Sequence, residues 1–292
     1  ANAPNPAGFA ILKSTFEDGA ISPLWLAVAA AGLAGGNAVG RLRRQAMARF
    51  AALGLPHRRI EAWKYTDLRN LLKEAAAPAR PTECCAAIDA ALGGLADLDG
   101  MVLTFLDGRF EPSLSRLEAG GARFMPLAAL LAEDDGWHIG HLAADAAGTG
   151  SAIMALNTAF LSDGATLRLE DGVVLEAPVV LVFARSSAQA QATTTRNLIA
   201  VGRRCRATIV EVHVDLSGHA GGQVNAATAI DVGPAADVTH VLLAAERERG
   251  MILATVEAGV GAGATYRPIV MSCGSGLVRA DPKDLTAIGV AT

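Results

Sequence analysis

Five glycines recur through the second half of the chain, Gly172, Gly202, Gly233, Gly261 and Gly289, at intervals of 30, 31, 28 and 28 residues. Three of them open the same short phrase. Val201-Gly202-Arg203-Arg204-Cys205-Arg206-Ala207, Val232-Gly233-Pro234-Ala235-Ala236-Asp237-Val238 and Val260-Gly261-Ala262-Gly263-Ala264-Thr265-Tyr266 share the form Val-Gly-x-x-small-x-apolar. A period in this range marks stacked supersecondary units, none of which buries its apolar face alone. Between the glycines lie short β-branched runs, VVLVF at 179–183, NLIAVG at 197–202, ATIVEVHV at 207–214 and VTHVLL at 238–243. No long amphipathic helix separates them, which argues against a doubly wound α/β sheet. A parallel β-solenoid satisfies both the period and the strand content. Each glycine is expected at a corner, often with φ > 0. The small residue three positions on is expected to face inward, where coils stack about 4.8 Å apart.

The first half reads differently. Residues 1–20 begin ANAPNP, which resists both helix and strand. Residues 24–55 read as helix, with Leu42, Ala46, Arg49, Phe50 and Leu53 at spacings of three and four. Gly54 supplies a C-cap and Pro56 a stop. Thr66 or Asp67 can cap a short helix carrying Leu68, Leu71 and Leu72. A second helical stretch at 84–92 runs into Gly93-Gly94. MVLTFLDGRF at 101–110 reads as a hairpin turning at Asp107-Gly108. Residues 113–145 read as mostly helical, and 148–151 as a linker. The expected organisation is therefore a mostly helical domain at 1–150, with a hairpin near 101–110, followed by a parallel β-helix core at 151–292.

Composition excludes several functions. Net charge is −4, and the densest basic cluster, Arg41 to Arg44, holds three arginines that read as a solvated helix face. Nothing here attracts nucleic acid. Residues 21–40 are nearly free of charge, but alanine and glycine dominate them, Pro23 interrupts them, and a helical pattern continues beyond. They read as part of a domain rather than a membrane span. The four cysteines, Cys84, Cys85, Cys205 and Cys273, show no CxxC spacing, which argues against a disulfide framework or a local zinc site and fits a reducing cytoplasm.

No phosphate-binding loop, dinucleotide fingerprint, HExxH or GxSxG occurs, so no catalytic, cofactor or metal residue is assigned. His138 and His141 stand three apart on one helical face without a third ligand nearby, and His213 and His219 flank a turn at an irregular spacing. Two thiols are weak candidates. Cys205 lies among Arg203, Arg204 and Arg206, whose charge would favour the thiolate, yet it occupies the small inward position of the repeat. Cys273 lies in a glycine-rich stretch. Glu211 and His213 share a strand face, with His240 on a neighbouring run, and are expected in solvated surface ladders.

The segment at 54–68, GLPHRRIEAWKYTDL, closely resembles the SufD family's N-terminal signature through Glu61, Trp63, Lys64, Tyr65 and Thr66. Further matches follow in the family's order: FLDGRF at 105–110 with Asp107 and Gly108, LNTAF at 156–160 with Asn157, and Asp163-Gly164. The resemblance covers nearly the whole chain from about residue 50. It implies a helical N-terminal domain, a right-handed parallel β-helix, and a non-catalytic subunit of a complex that assembles Fe–S clusters. The family pairs with its homologue SufB through the β-helices and works with the ATPase SufC. It implies no stably bound cofactor, an Fe–S cluster at most passing over the complex, and a cytoplasmic location.

The family's chain continues beyond the point matching Thr292, so the C-terminal end of the β-helix and the region that binds SufC are expected to be missing. No cluster-ligating residue is carried over, and Trp63, Tyr65 and Asn157 are expected to be structural. Alone, the chain could form a homodimer. A β-helix carbohydrate-active enzyme and a structural solenoid with no Fe–S role are the alternatives. The first would need acidic clusters or paired carboxylates along one face.

Overall fold

The computed structural model describes residues 36–72, 75–80, 88, 92–95, 97, 99–133, 136–147, 151–187, 189–217, 221–246, 250–274 and 276–288. The apolar stretch before residue 36, the start at 1–20, Cys84, Cys85, most of the helix expected at 84–92, His219, the linker glycines at 148 and 150, and Gly289 lie outside them.

The helices are α1 (Asn37–Leu53), α2 (Leu68–Leu71), α3 (Leu127–Leu130), α4 (Trp137–Ala147) and α5 (Ala152–Phe160). The strands are β1 (Ala77–Pro78), β2 (Val102–Leu106), β3 (Arg109–Phe110), β4 (Ala122–Pro126), β5 (Ala165–Leu169), β6 (Val179–Arg185), β7 (Gln191–Val201), β8 (Arg206–Asp215), β9 (Gln223–Val232), β10 (Asp237–Glu246), β11 (Met251–Gly261), β12 (Thr265–Gly274) and β13 (Leu277–Ile288). They form two compact units, residues 1–78 with 131–161, and residues 79–130 with 162–292. The division does not fall at residue 150. Residues 102–126 supply strands to the second unit because their backbone groups pair with solenoid strands. For the same reason 113–145 is not mostly helical: β4 occupies 122–126, paired antiparallel to β5.

In the first unit α1 packs on α4 and α5. Its buried stripe, Val39, Arg43, Ala46 and Phe50, has the 3.6-residue period expected of one helix face. Arg43 departs from the solvated face read in the sequence. It is buried, its Nη2 donates to the Leu161 carbonyl at 2.5 Å, and burial lowers its pKa to about 10. Gly54 ends α1 at φ 67, donating its N–H to the Phe50 carbonyl. Asp67 caps α2 by accepting from the Asn70 N–H, and Ser151 caps α5 by accepting from Met154.

The second unit is a parallel β-solenoid of about three turns. Successive strands alternate between two sheets. One runs β13-β11-β9-β7-β5-β4 and the other β12-β10-β8-β6-β2-β3. Register holds over long runs, with Asp237 to Ala245 opposite Arg206 to Val214, and Ala192 to Val201 opposite Gln223 to Val232. The expected hairpin is present: Phe105 faces Phe110 and Leu106 faces Arg109, across Asp107 and Gly108 at φ 49 and 79. Both central residues having φ > 0 is what a two-residue hairpin turn demands.

The repeat glycines mark corners, but not for the reason expected. Gly172 has φ 78, whereas positive φ in the next three corners falls two residues later, at Arg204 (54), Ala235 (57) and Gly263 (67). Gly202, Gly233 and Gly261 are required by close approach instead. A Cβ on Gly202 would stand 2.7 Å from the Asp171 nitrogen, on Gly233 2.7 Å from the Val201 oxygen, and on Gly261 2.7 Å from the Pro234 nitrogen. Corner stacks on corner, with the Gly233 N–H donating to Val201 and the Arg204 N–H to Pro234. Cys205 and Ala236, three residues after their glycines, are buried in the main core as expected, and Ala264 packs against it.

Candidate functional site

The polar groups expected on the solenoid surface are inside it. Glu211, His213 and His240 are each 2% exposed, because β8 and β10 turn these positions toward the opposite sheet. They do not form solvated ladders. Burying a carboxylate is costly unless its lone pairs are filled, and here they are. His240 Nε2 lies 2.8 Å from Glu211 Oε1, and Thr228 Oγ1 on β9 donates to the same oxygen at 2.6 Å. Asn197 Nδ2 on β7 donates to Thr228 Oγ1 at 3.0 Å, and Asn197 Oδ1 accepts from the Ala165 N–H at 3.0 Å. On the other side, His240 Nδ1 lies 2.8 Å from the Tyr266 hydroxyl on β12.

Only one proton arrangement spends every donor. Ionised Glu211 accepts from His240 Nε2–H and Thr228 O–H, and His240 Nδ1 accepts from Tyr266 O–H. The result is a polar seam from β5 to β12 through the middle of the core. Burial pushes Glu211 upward in pKa, but the hydrogen bonds it accepts from His240 and Thr228 pull the other way, and the carboxyl is held below its usual range. Burial pushes the Tyr266 hydroxyl's pKa up, and Glu211 adds to the effect.

His213 stands apart from the hydrogen bonds. Its Nε2 is 4.0 Å from Glu211 Oε2, and neither ring nitrogen has a hydrogen-bond partner among the described residues. Instead it continues an aromatic ladder. Phe105 stacks on Phe183 (centroids 5.0 Å, 15°), and Phe183 stacks on His213 (4.9 Å, 15°). Burial lowers its pKa against the opposing pull of Glu211, so the ring is carried neutral. The cavity beside it, about 10 Å³, is lined by Phe105, Phe183, Arg185, Thr195 and His213 and has room for one water. No substrate fits there.

The remaining candidates are dispersed. The Cys205 thiol is buried and donates to the Glu170 carbonyl at 2.9 Å, whereas Cys273 is exposed on β12. Asp107 accepts from both Ser186 N–H (2.9 Å) and Ser186 O–H (2.7 Å), which ties the hairpin turn to the end of β6. Asp163 takes three backbone N–H groups, from Phe110, Ala128 and Gly164. Its neighbour Gly164 admits no side chain, since a Cβ would lie 1.8 Å from the Arg196 oxygen. Asn157 and Trp63 are buried. Tyr65 departs from the structural role expected of it: it is 92% exposed, with the Lys64 ammonium 5.6 Å from its ring centroid. Glu61 and Lys64 are exposed and Thr66 half-buried. His138 is buried, and His141 sits edge-on to Trp137 (5.5 Å, 90°). Among the described residues no group of three or more His, Cys, Asp or Glu could hold a metal ion, and no helix is long and apolar enough to cross a membrane.

The two-unit architecture and its internal seam meet two family descriptions in order along the chain. Residues 34–181 match the SufBD protein N-terminal region, and residues 183–286 match the SUF system FeS cluster assembly, SufBD core domain. The chain belongs to the SufB/SufD superfamily. No curated protein matches it. The SufB/SufD membership carries a role in Fe–S cluster assembly, and the core-domain match covers all five side chains of the seam, Asn197, Glu211, Thr228, His240 and Tyr266. Thr228, Asn197 and Tyr266 were missed by sequence reasoning. Asn197 and Thr228 lie one repeat apart and face each other in register, so aligning inward positions of the repeat would have paired them.

Proposed function

We propose that this chain is a SufD-type, non-catalytic scaffold subunit of the SUF Fe–S assembly complex, pairing with SufB and working with the ATPase SufC in the cytoplasm. The observation that carries the reading is the ordered pair of SUF family matches across residues 34–181 and 183–286. The SufD side of the superfamily is favoured by the GLPHRRIEAWKYTDL segment at 54–68. A scaffold role is favoured by the chemistry of the core. Glu211 and His240 are spent on each other and on Thr228 and Tyr266, and the cavity beside His213 holds no more than a water. The Fe–S cluster is then cargo of the complex rather than a resident cofactor of this chain.

The test is co-expression with SufB and SufC from the same source, followed by size-exclusion chromatography with light scattering. The reading expects a complex whose mass contains all three chains. Elution of this chain apart from SufB, whether as a monomer or as a homodimer, contradicts it.

A further inference from the structure

His213 on β8 and Thr195 on β7 belong to opposite sheets of one coil. In the next coil their register partners are Ala244 and Ala226, which end at Cβ and offer no polar atom. Both line the cavity of about 10 Å³, together with the rings of Phe105 and Phe183 and the polar side chains of Arg185 and Thr193. All six residues are 7% exposed or less, so the cavity lies inside the solenoid. His213 is the group there whose needs the protein does not meet. Neither ring nitrogen has a hydrogen-bond partner among the described residues. The stack on Phe183, at 15°, fixes the plane of the ring. Glu211 does not answer the need, because 4.0 Å from Nε2 to Oε2 is beyond the limit of about 3.2 Å for an N–H···O bond.

We propose that this cavity is a binding site for one water molecule, which donates a hydrogen bond to His213 Nδ1 and accepts one from Arg185, Thr193 or Thr195. A buried polar atom without a partner is costly. A water is held inside a protein where several polar groups converge on a space of about 10–15 Å³. Both conditions meet here. Cavities that stay dry are walled by hydrocarbon alone, whereas this one has a guanidinium and two hydroxyls beside the imidazole. A neutral imidazole carries one N–H and one lone pair. Nε2 is the nitrogen that meets the Glu211 carboxylate, at the Oε2 atom, since His240 and Thr228 both take Oε1. The negative charge there favours an N–H over a lone pair, which puts the proton on Nε2 and leaves Nδ1 to accept. Water supplies the O–H that Nδ1 needs, and the guanidinium or a threonine hydroxyl supplies the hydrogen that its oxygen accepts. Arg185 Nη2 also holds Asp215 Oδ2 at 3.1 Å. A water that accepts from Arg185 therefore joins this buried ion pair to the imidazole. The site is built by the solenoid's own coils and does not depend on which partner the chain meets.

The experiment is a crystal structure of the full chain at about 1.5 Å resolution, paired with nitrogen NMR of the histidine-labelled protein at about pH 8 to read the His213 tautomer. The expected map shows a single solvent peak within about 3.2 Å of His213 Nδ1 and of a polar atom of Arg185, Thr193 or Thr195. The expected spectrum shows a neutral ring protonated at Nε2. The peak should be lost in His213→Phe. A cavity without density overturns the proposal, as does a peak out of hydrogen-bond reach of His213, a scatterer heavier than oxygen, or a ring protonated at Nδ1. So does a peak that persists unchanged in His213→Phe. Should that variant fail to fold, the wild-type map and the tautomer decide between these outcomes on their own.

Discussion

At the scale of single residues, the interior of the solenoid is set by how Glu211 and His213 meet the same environment differently. Glu211 stays ionised because His240 and Thr228 fill its Oε1. His213 stays neutral because burial lowers its pKa and stacking on Phe183 needs no proton. Both folded pKa values lie below their unfolded ones, so both groups stabilise the fold at higher pH and lose that stabilisation as pH falls. The windows differ. His213 begins to cost stability below its unfolded pKa of about 6.5, and Glu211 only below about 4.3. Stability to urea is therefore expected to drop between pH 7 and pH 5, with a slope of up to about 1.4 kcal/mol per pH unit from His213. His213→Phe extends the Phe105–Phe183 ladder and should flatten that part of the profile. An unchanged slope in the variant would remove His213 as its cause. The sequence showed that Glu211 and His213 share a face but not which face. A period of two says that side chains alternate, while the direction depends on where the facing sheet lies.

At the scale of elements, the corner is the unit that the repeat specifies. The phrase Val-Gly-x-x-small-x-apolar was legible, and its inward small residue was placed correctly at Cys205 and Ala236. The role of the glycine was not. Without coordinates a repeated glycine suggests positive φ, whereas Gly202, Gly233 and Gly261 lack a Cβ because the preceding corner's backbone occupies that space. The two constraints can be separated by substitution. Gly233→Ala forces a Cβ to 2.7 Å from backbone atoms of Val201 and Gly202 and should destabilise by about 2 kcal/mol. Ala235→Gly relieves a left-handed residue at φ 57. That conformation costs about 1–2 kcal/mol, and glycine's added chain entropy returns about 0.5–1 kcal/mol, so the net is a gain of about 0.5 kcal/mol. Chemical denaturation of both variants measures the pair. Equal and opposite signs in the reverse sense would refute the assignment of strain to the third corner residue and of contact to the glycine. The hairpin at Asp107-Gly108 was read correctly because its turn chemistry is local. The strands at 102–126 were assigned to the wrong unit because their parallel and antiparallel partners lie many residues away, at β5 and β6.

At the scale of the whole molecule, membership of the SufB/SufD superfamily and the architecture agree: a helical unit and a parallel solenoid, the latter crossed by the Asn197–Thr228–Glu211–His240–Tyr266 seam. Motifs carried the family in the sequence, since GLPHRRIEAWKYTDL and the later segments occur in order. The internal seam could not be read there, because its five side chains come from five strands. The central claim is that the chain contributes to Fe–S assembly as a stoichiometric scaffold and not as a catalyst. The measurement that tests it most directly is a titration of this chain into SufB, SufC, a cysteine desulfurase sulfur source and ferrous iron, following cluster transfer to an apo-ferredoxin. The account predicts that the rate rises linearly with added chain and saturates at one copy per SufB. A full rate at a small fraction of that ratio, or a rate indifferent to the chain, would contradict it.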